Sequence, residues 1–78
     1  MECFSDIIDA WPKPSPVTFA ADIGEEVPTV RQMRLRDSLP AGYWRRAVKA
    51  ARRRRIRGVT LDRLALIAER VASRKAAA

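Results

Sequence analysis

Between Pro16 and Leu39 the chain reads PVTFAADIGEEVPTVRQMRLRDSL, and the placing of its apolar residues and its one glycine admits few folds. Phe19, Ala20 and Ile23 stand at i, i+1 and i+4, and Gly24 follows at once. Such spacing belongs to one face of a helix. Val27, Val30 and Met33 then recur every three residues, so they share one side of a second helix. A glycine directly after a helix suits the left-handed C′ position, where a side chain raises the energy. Pro28 marks the start of the second helix, because proline fits the first turn and disrupts later ones. Ala20 is small where two crossing helices must come close. The stretch therefore predicts helices over residues 16–23 and 28–36 joined by a tight turn.

A helix pair of this kind is the helix-turn-helix unit, whose second helix can enter a DNA major groove. At these residues the chain resembles the small helix-turn-helix regulators of the lambda Cro and phage-repressor type. Their motif has an apolar residue, Ala, two free positions, an apolar residue, Gly, and five free positions before the next apolar residue. Here that is Phe19-Ala20-Ala21-Asp22-Ile23-Gly24, then Val30 and Met33, about a third of the chain, with Pro40 to Trp44 as an extension. The family has an apolar residue just after the glycine where this chain has Glu25, and Val27 is expected to take over that buried role. The resemblance implies a sequence-specific transcription regulator of bacterial or phage type that acts on double-stranded DNA. It also implies that Val27, Pro28, Arg31 and Gln32 approach base edges. Arg can donate a bidentate pair to guanine and Gln can pair with adenine, whereas Val27 and Pro28 offer only apolar contact. With Val30 and Met33 inward, Thr29 faces outward beside Arg31 and Gln32 and joins the base-contact set. Leu35 is open between groove and core.

Charge points to the same partner class. Residues 1–30 hold one Lys against six Asp or Glu and sum to −5, whereas residues 31–78 hold fifteen Lys or Arg against three acids and sum to +12. A basic domain with a pI near 11 expects a polyanion. Arg45, Arg46, Lys49, Arg52 to Arg55 and Arg57 place eight cations within thirteen residues. One or two would satisfy a helix C-terminal dipole, and the excess suits phosphate. Ser15, Thr18, Arg34, Arg36, Arg45, Arg46, Lys49 and Arg53 form the expected phosphate-contact set. Glu25 and Glu26 favour the positive end of the second helix of the pair but oppose nearby phosphates.

The rest of the chain is read around this unit. Phe4, Ile7, Ile8 and Trp11 fall at i, i+3, i+4 and i+7, so residues 4–11 predict an amphipathic helix that Pro12 stops. PKPSP predicts a stiff extended linker, with Ser15 or its neighbour capping the next helix. Leu39 is expected as a buried anchor. Residues 41–55 predict a fourth helix with Trp44, Ala47, Val48 and Ala51 inward, broken at Gly58. Both tryptophans are expected in the core. Thr60 caps a fifth helix over 61–73 with Leu61, Leu64, Ala65, Ile67, Ala68 and Val71 inward. Leu66 points elsewhere, a hint of a second apolar surface. Residues from Ser73 onward are expected to fray, with 76–78 as the tail of a single domain over 1–75.

The whole is expected to be all-α, a compact bundle of about five short helices. A chain of 78 residues allows one small core and no elaborate enzyme site. With no His and only Cys3, there is no intrachain disulfide, no common zinc set, no nucleophile–base pair and no implied cofactor. No apolar stretch approaches bilayer length and the N-terminus is acidic, so a cytoplasmic protein without a membrane partner is expected. A single helix-turn-helix domain reaches specificity by binding two half-sites, which implies a homodimer at least on DNA. Two rival readings stand beside this one. The first is a nonspecific, architectural DNA binder. The second is a protein-interaction module, an RNA polymerase cofactor or antitoxin-like partner, contacted through the acidic first third and the fifth helix.

Overall fold

The computed structural model describes residues 1–77, with side chains through Arg74. It is all-helical, with no strand among the described residues. The elements are α1 (Phe4–Asp9), α2 (Ser15–Ile23), α3 (Val27–Leu35), a 3₁₀ turn (Ala41–Tyr43), α4 (Trp44–Arg54) and α5 (Leu61–Ala77). None of these helices is long and apolar enough to cross a membrane.

The core is the one that periodicity marked. Phe4, Ile7, Ile8 and Trp11 from the first segment meet Phe19, Ala20 and Ile23 of α2 and Val30 and Met33 of α3. Ala47, Val48, Ala50 and Ala51 of α4 and Leu64 and Ile67 of α5 close it. Trp11 stands edge-on to Phe19 with ring centroids 4.6 Å apart, an arrangement aromatic quadrupoles favour. Helix α2 is central and packs on α1, α3 and α4. The alanines of α4 let its backbone approach α2 closely, while Arg45, Lys49, Arg52 and Arg53 stay exposed.

Helix ends follow one device used three times. Gly24, Asp37 and Arg55 all take left-handed conformations, with φ of 71°, 51° and 59°. Each is followed by a reaching-back bond: Glu25 N–H to Ala20 C=O at 2.9 Å, Ser38 N–H to Met33 C=O at 2.9 Å, and Ile56 N–H to Ala51 C=O at 2.8 Å. These bonds satisfy carbonyls that the helix end leaves open. The chain then turns inward, to buried Leu39 after Asp37 and to Ile56, packed on the core, after Arg55.

Several expectations are corrected. The segment after α1 is bent rather than extended, and the Lys13–Pro14 peptide is cis. Of the two expected cap positions it is the neighbour, Pro14, that caps α2, without a side-chain bond, and Ser15 is already helical with Pro16 in the first turn. Helix α1 stops at Asp9, so Trp11 enters the core from the turn beyond it. The fourth helix closes at Arg55 as expected, but it begins as a 3₁₀ turn over Ala41–Tyr43, with the α-helix itself starting at Trp44. Leu61 is 46 % exposed, since its place in the first turn of α5 lies over the edge of α4 rather than under it. Ala65 is only half-buried. Helix α5 runs through Ala77, four residues past its expected end at 73, and Ala78 of the expected tail lies outside the described residues. The Thr60 cap holds, with its hydroxyl accepting from Arg63 N–H at 3.1 Å.

Candidate nucleic-acid interface

Helix α3 is set against α2 by the turn Gly24–Glu26. Gly24 supplies the left-handed residue, and Pro28 in the first turn of α3 fixes how the helix leaves the turn. Val30 and Met33 anchor its inner face. The opposite face carries Pro28, Arg31, Gln32 and Leu35, all exposed. Among the expected base-contact residues, Pro28, Arg31 and Gln32 thus stand free. Thr29 is half-buried on the flank of α3, and Val27 is half-buried against the core, the packing role expected of it.

The carboxylates that threatened this surface are managed differently. Glu25 turns to Tyr43, whose hydroxyl donates to its Oε2 at 2.6 Å. That bond, aided by the Glu26 N–H, holds the Glu25 carboxyl below its ordinary pKa, and the same bond pushes the Tyr43 hydroxyl up. Arg46 completes the cluster: its guanidinium lies 5.8 Å from the Tyr43 ring centroid and donates to the Ile23 carbonyl at 3.0 Å. It thereby covers the open C-terminal end of α2. Glu26 stays exposed at the start of α3.

Tyr43 also joins the two basic helices. It lines a shallow hollow with Thr29, Gln32 and Arg36, and Arg46 above it lines a second hollow with Arg45, Lys49, Arg52 and Leu61. The contact of Tyr43 with Arg46 is what brings the flank of α3 near the cations of α4. Away from this surface, Asp22 ties α2 to Trp11 and to the last turn of α4. Asp22 accepts from Trp11 Nε1 at 2.7 Å and from Arg54, whose Nη2 lies 3.0 Å from it. The Arg54 guanidinium, offset in part by burial and helped by Trp11, holds the Asp22 carboxyl below its ordinary range.

The expected phosphate set divides. Arg36, Arg45, Lys49 and Arg53 are exposed and have no carboxylate within 4.0 Å among the described residues. Arg46 is exposed but committed to the Ile23 carbonyl. Arg34 is held by Asp9 through a two-pronged pair at 2.7 and 3.2 Å. Ser15 is buried, and Thr18 is half-buried with its hydroxyl on the Pro14 carbonyl at 3.2 Å. Ser15 therefore leaves the set as a side-chain contact, because it packs in the first turn of α2. Arg52 lines the same hollow as Arg45 and Lys49, as their spacing at i, i+4 and i+7 on one helix face indicates.

No protein-family model, curated protein or solved structure matches this chain.

Proposed function

We propose that the protein is a sequence-specific double-stranded DNA-binding regulator of bacterial or phage type, with α2 and α3 as its helix-turn-helix. The observation that carries this reading is the outward face of α3. Arg31 and Gln32 stand exposed there without a carboxylate partner among the described residues, on a helix rigidly seated by Val30 and Met33. These two side chains have the donor and acceptor patterns that discriminate guanine and adenine in a major groove. Arg36, Arg45, Lys49, Arg52 and Arg53 flank them and hold phosphates, which supplies register and affinity but no base preference. The recognition helix reads; α4 clamps.

The disposition of acids supports the same reading over a protein-interaction module. Asp6, Asp9, Asp22 and Glu25 are engaged within the fold, so the first third offers little free acidic surface. A cytoplasmic location and a homodimer on DNA belong to this proposal. The experiment is a titration of a fluorescent duplex across a series of salt concentrations. Five neutralised phosphates give a log–log slope of about −4 to −5. Failure to retain any duplex at about 50 mM salt, where such a surface binds most strongly, rejects a DNA-binding function.

A further inference from the structure

We infer that Leu35 is a base-reading residue of α3, placed to take the 5-methyl group of a thymine in the major groove. This rests on the proposed DNA-binding function. Leu35 is 78 % exposed, more than any other large apolar side chain of the described core region, and it sits between Arg34 and Arg36. An isolated exposed leucine is ordinary on a protein surface. The position of this one is not, because it continues the outward stripe of Pro28, Arg31 and Gln32.

At roughly 100° per residue, Leu35 lies about 20° around the helix from Pro28, about 40° from Arg31 and about 60° from Gln32. The buried Val30 and Met33 lie on the opposite side, at about 140° and 160°. The rise from Pro28 to Leu35 is about 10 Å, close to three stacked base pairs at about 3.4 Å each. A helix laid along a groove with Arg31 and Gln32 on base edges therefore brings Leu35 over a neighbouring pair. The surrounding charge decides the occupant. Arg31 and Arg36 have no carboxylate partner among the described residues, so the leucine is an apolar spot inside a cationic field. An apolar protein partner would have to bury those cations. A thymine methyl meets the same need for apolar cover while phosphates on either side satisfy the cations.

The test pairs Leu35→Ala with replacement of thymine by deoxyuracil, which deletes only the methyl. The full chain is first used to select its preferred duplex from a random pool. Affinity is then measured for each thymine→deoxyuracil version, with circular dichroism and sedimentation of both proteins as controls. The expected result is a five- to tenfold loss for Leu35→Ala on the preferred duplex. One deoxyuracil substitution should weaken the parent protein severalfold and leave the variant unchanged. Leu35→Ala binding like the parent on a duplex that the parent clearly prefers overturns the assignment and leaves the DNA-binding function standing. Equal sensitivity of both proteins to every deoxyuracil substitution also overturns it. A change in self-association with Leu35→Ala would place the residue in a protein interface instead. No preferred duplex for the parent overturns both the assignment and the sequence-specific function beneath it.

Discussion

The first thirty residues and the remaining forty-eight carry charge of opposite sign, and the fold uses the two signs for different work. In the first region four of the six carboxylates are structural parts. Asp6 accepts the Glu2 N–H at 2.9 Å at the start of α1, Asp9 holds Arg34, Asp22 joins Trp11 to Arg54, and Glu25 takes the Tyr43 hydroxyl. In the second region Arg31, Arg36, Arg45, Lys49, Arg52, Arg53, Arg55 and Arg57 have no carboxylate within 4.0 Å among the described residues. The asymmetry of the sequence is thus not two opposed patches. Acids are spent inside the fold, and the cations left over form the surface on offer.

If that division is right, changes in the two regions separate stability from binding. The largest effect on stability is expected for Asp22→Ala, which strands the buried Trp11 indole N–H and frees Arg54. Loss of hydrogen bonds to a charged group at a largely buried site costs about 2–3 kcal/mol, read by chemical denaturation. DNA affinity of the folded variant should not fall, because a cation has been released. The same carboxylate gives a pH signature. Its folded pKa lies below the ordinary value of 3.8, so its contribution is complete above that value and is lost as the pH falls through the folded one. Asp22→Asn should remove this acid-sensitive component from the stability–pH curve.

Arg31→Ala tests the other side. It should cost about 1–3 kcal/mol at the preferred duplex and relax base preference there, with stability changed by less than about 0.5 kcal/mol. A backbone pair comes next. Gly24→Ala should lower stability by about 1 kcal/mol at φ +71°, whereas Arg55→Gly should raise it by about 0.5–1 kcal/mol by relieving a non-glycine left-handed residue. Thermal melts of the two variants should move in opposite directions. The smallest effect is expected for Arg53→Ala, a loss of a few-fold that is the same for preferred and random duplexes, with a salt slope about one unit shallower. If Arg31→Ala and Arg53→Ala act alike, the separation of reader from clamp fails.

The fold was legible where its causes are local. The spacing of Phe4, Ile7, Ile8 and Trp11, or of Phe19, Ala20 and Ile23, names a buried face without knowledge of what covers it. Gly24 announced a left-handed turn, but Asp37 and Arg55 adopt the same turn with nothing in their type to require it. What selects them is the burial of Leu39 and the packing of Ile56, and those depend on helices elsewhere. The same limit hid the roles of acids. Asp9 and Arg34 are 25 residues apart, and Asp22 and Arg54 are 32 apart. No periodicity relates such residues; only the packed arrangement of α1, α2, α3 and α4 does. At the candidate interface, the exposure of Arg31 and Gln32 followed from the inward pattern of Val30 and Met33. The withdrawal of Arg34 and Ser15, and the handling of Glu25 by Tyr43, did not.

The central claim is that α3 reads sequence while α4 supplies general affinity. Its most direct test is selection of bound duplexes from a random DNA pool at roughly physiological salt. The account predicts enrichment of one motif, with an inverted repeat inside it when two copies bind together. Tight retention without enrichment would contradict it and leave an architectural DNA binder. Retention of no DNA would contradict it more deeply, turning attention to a protein partner.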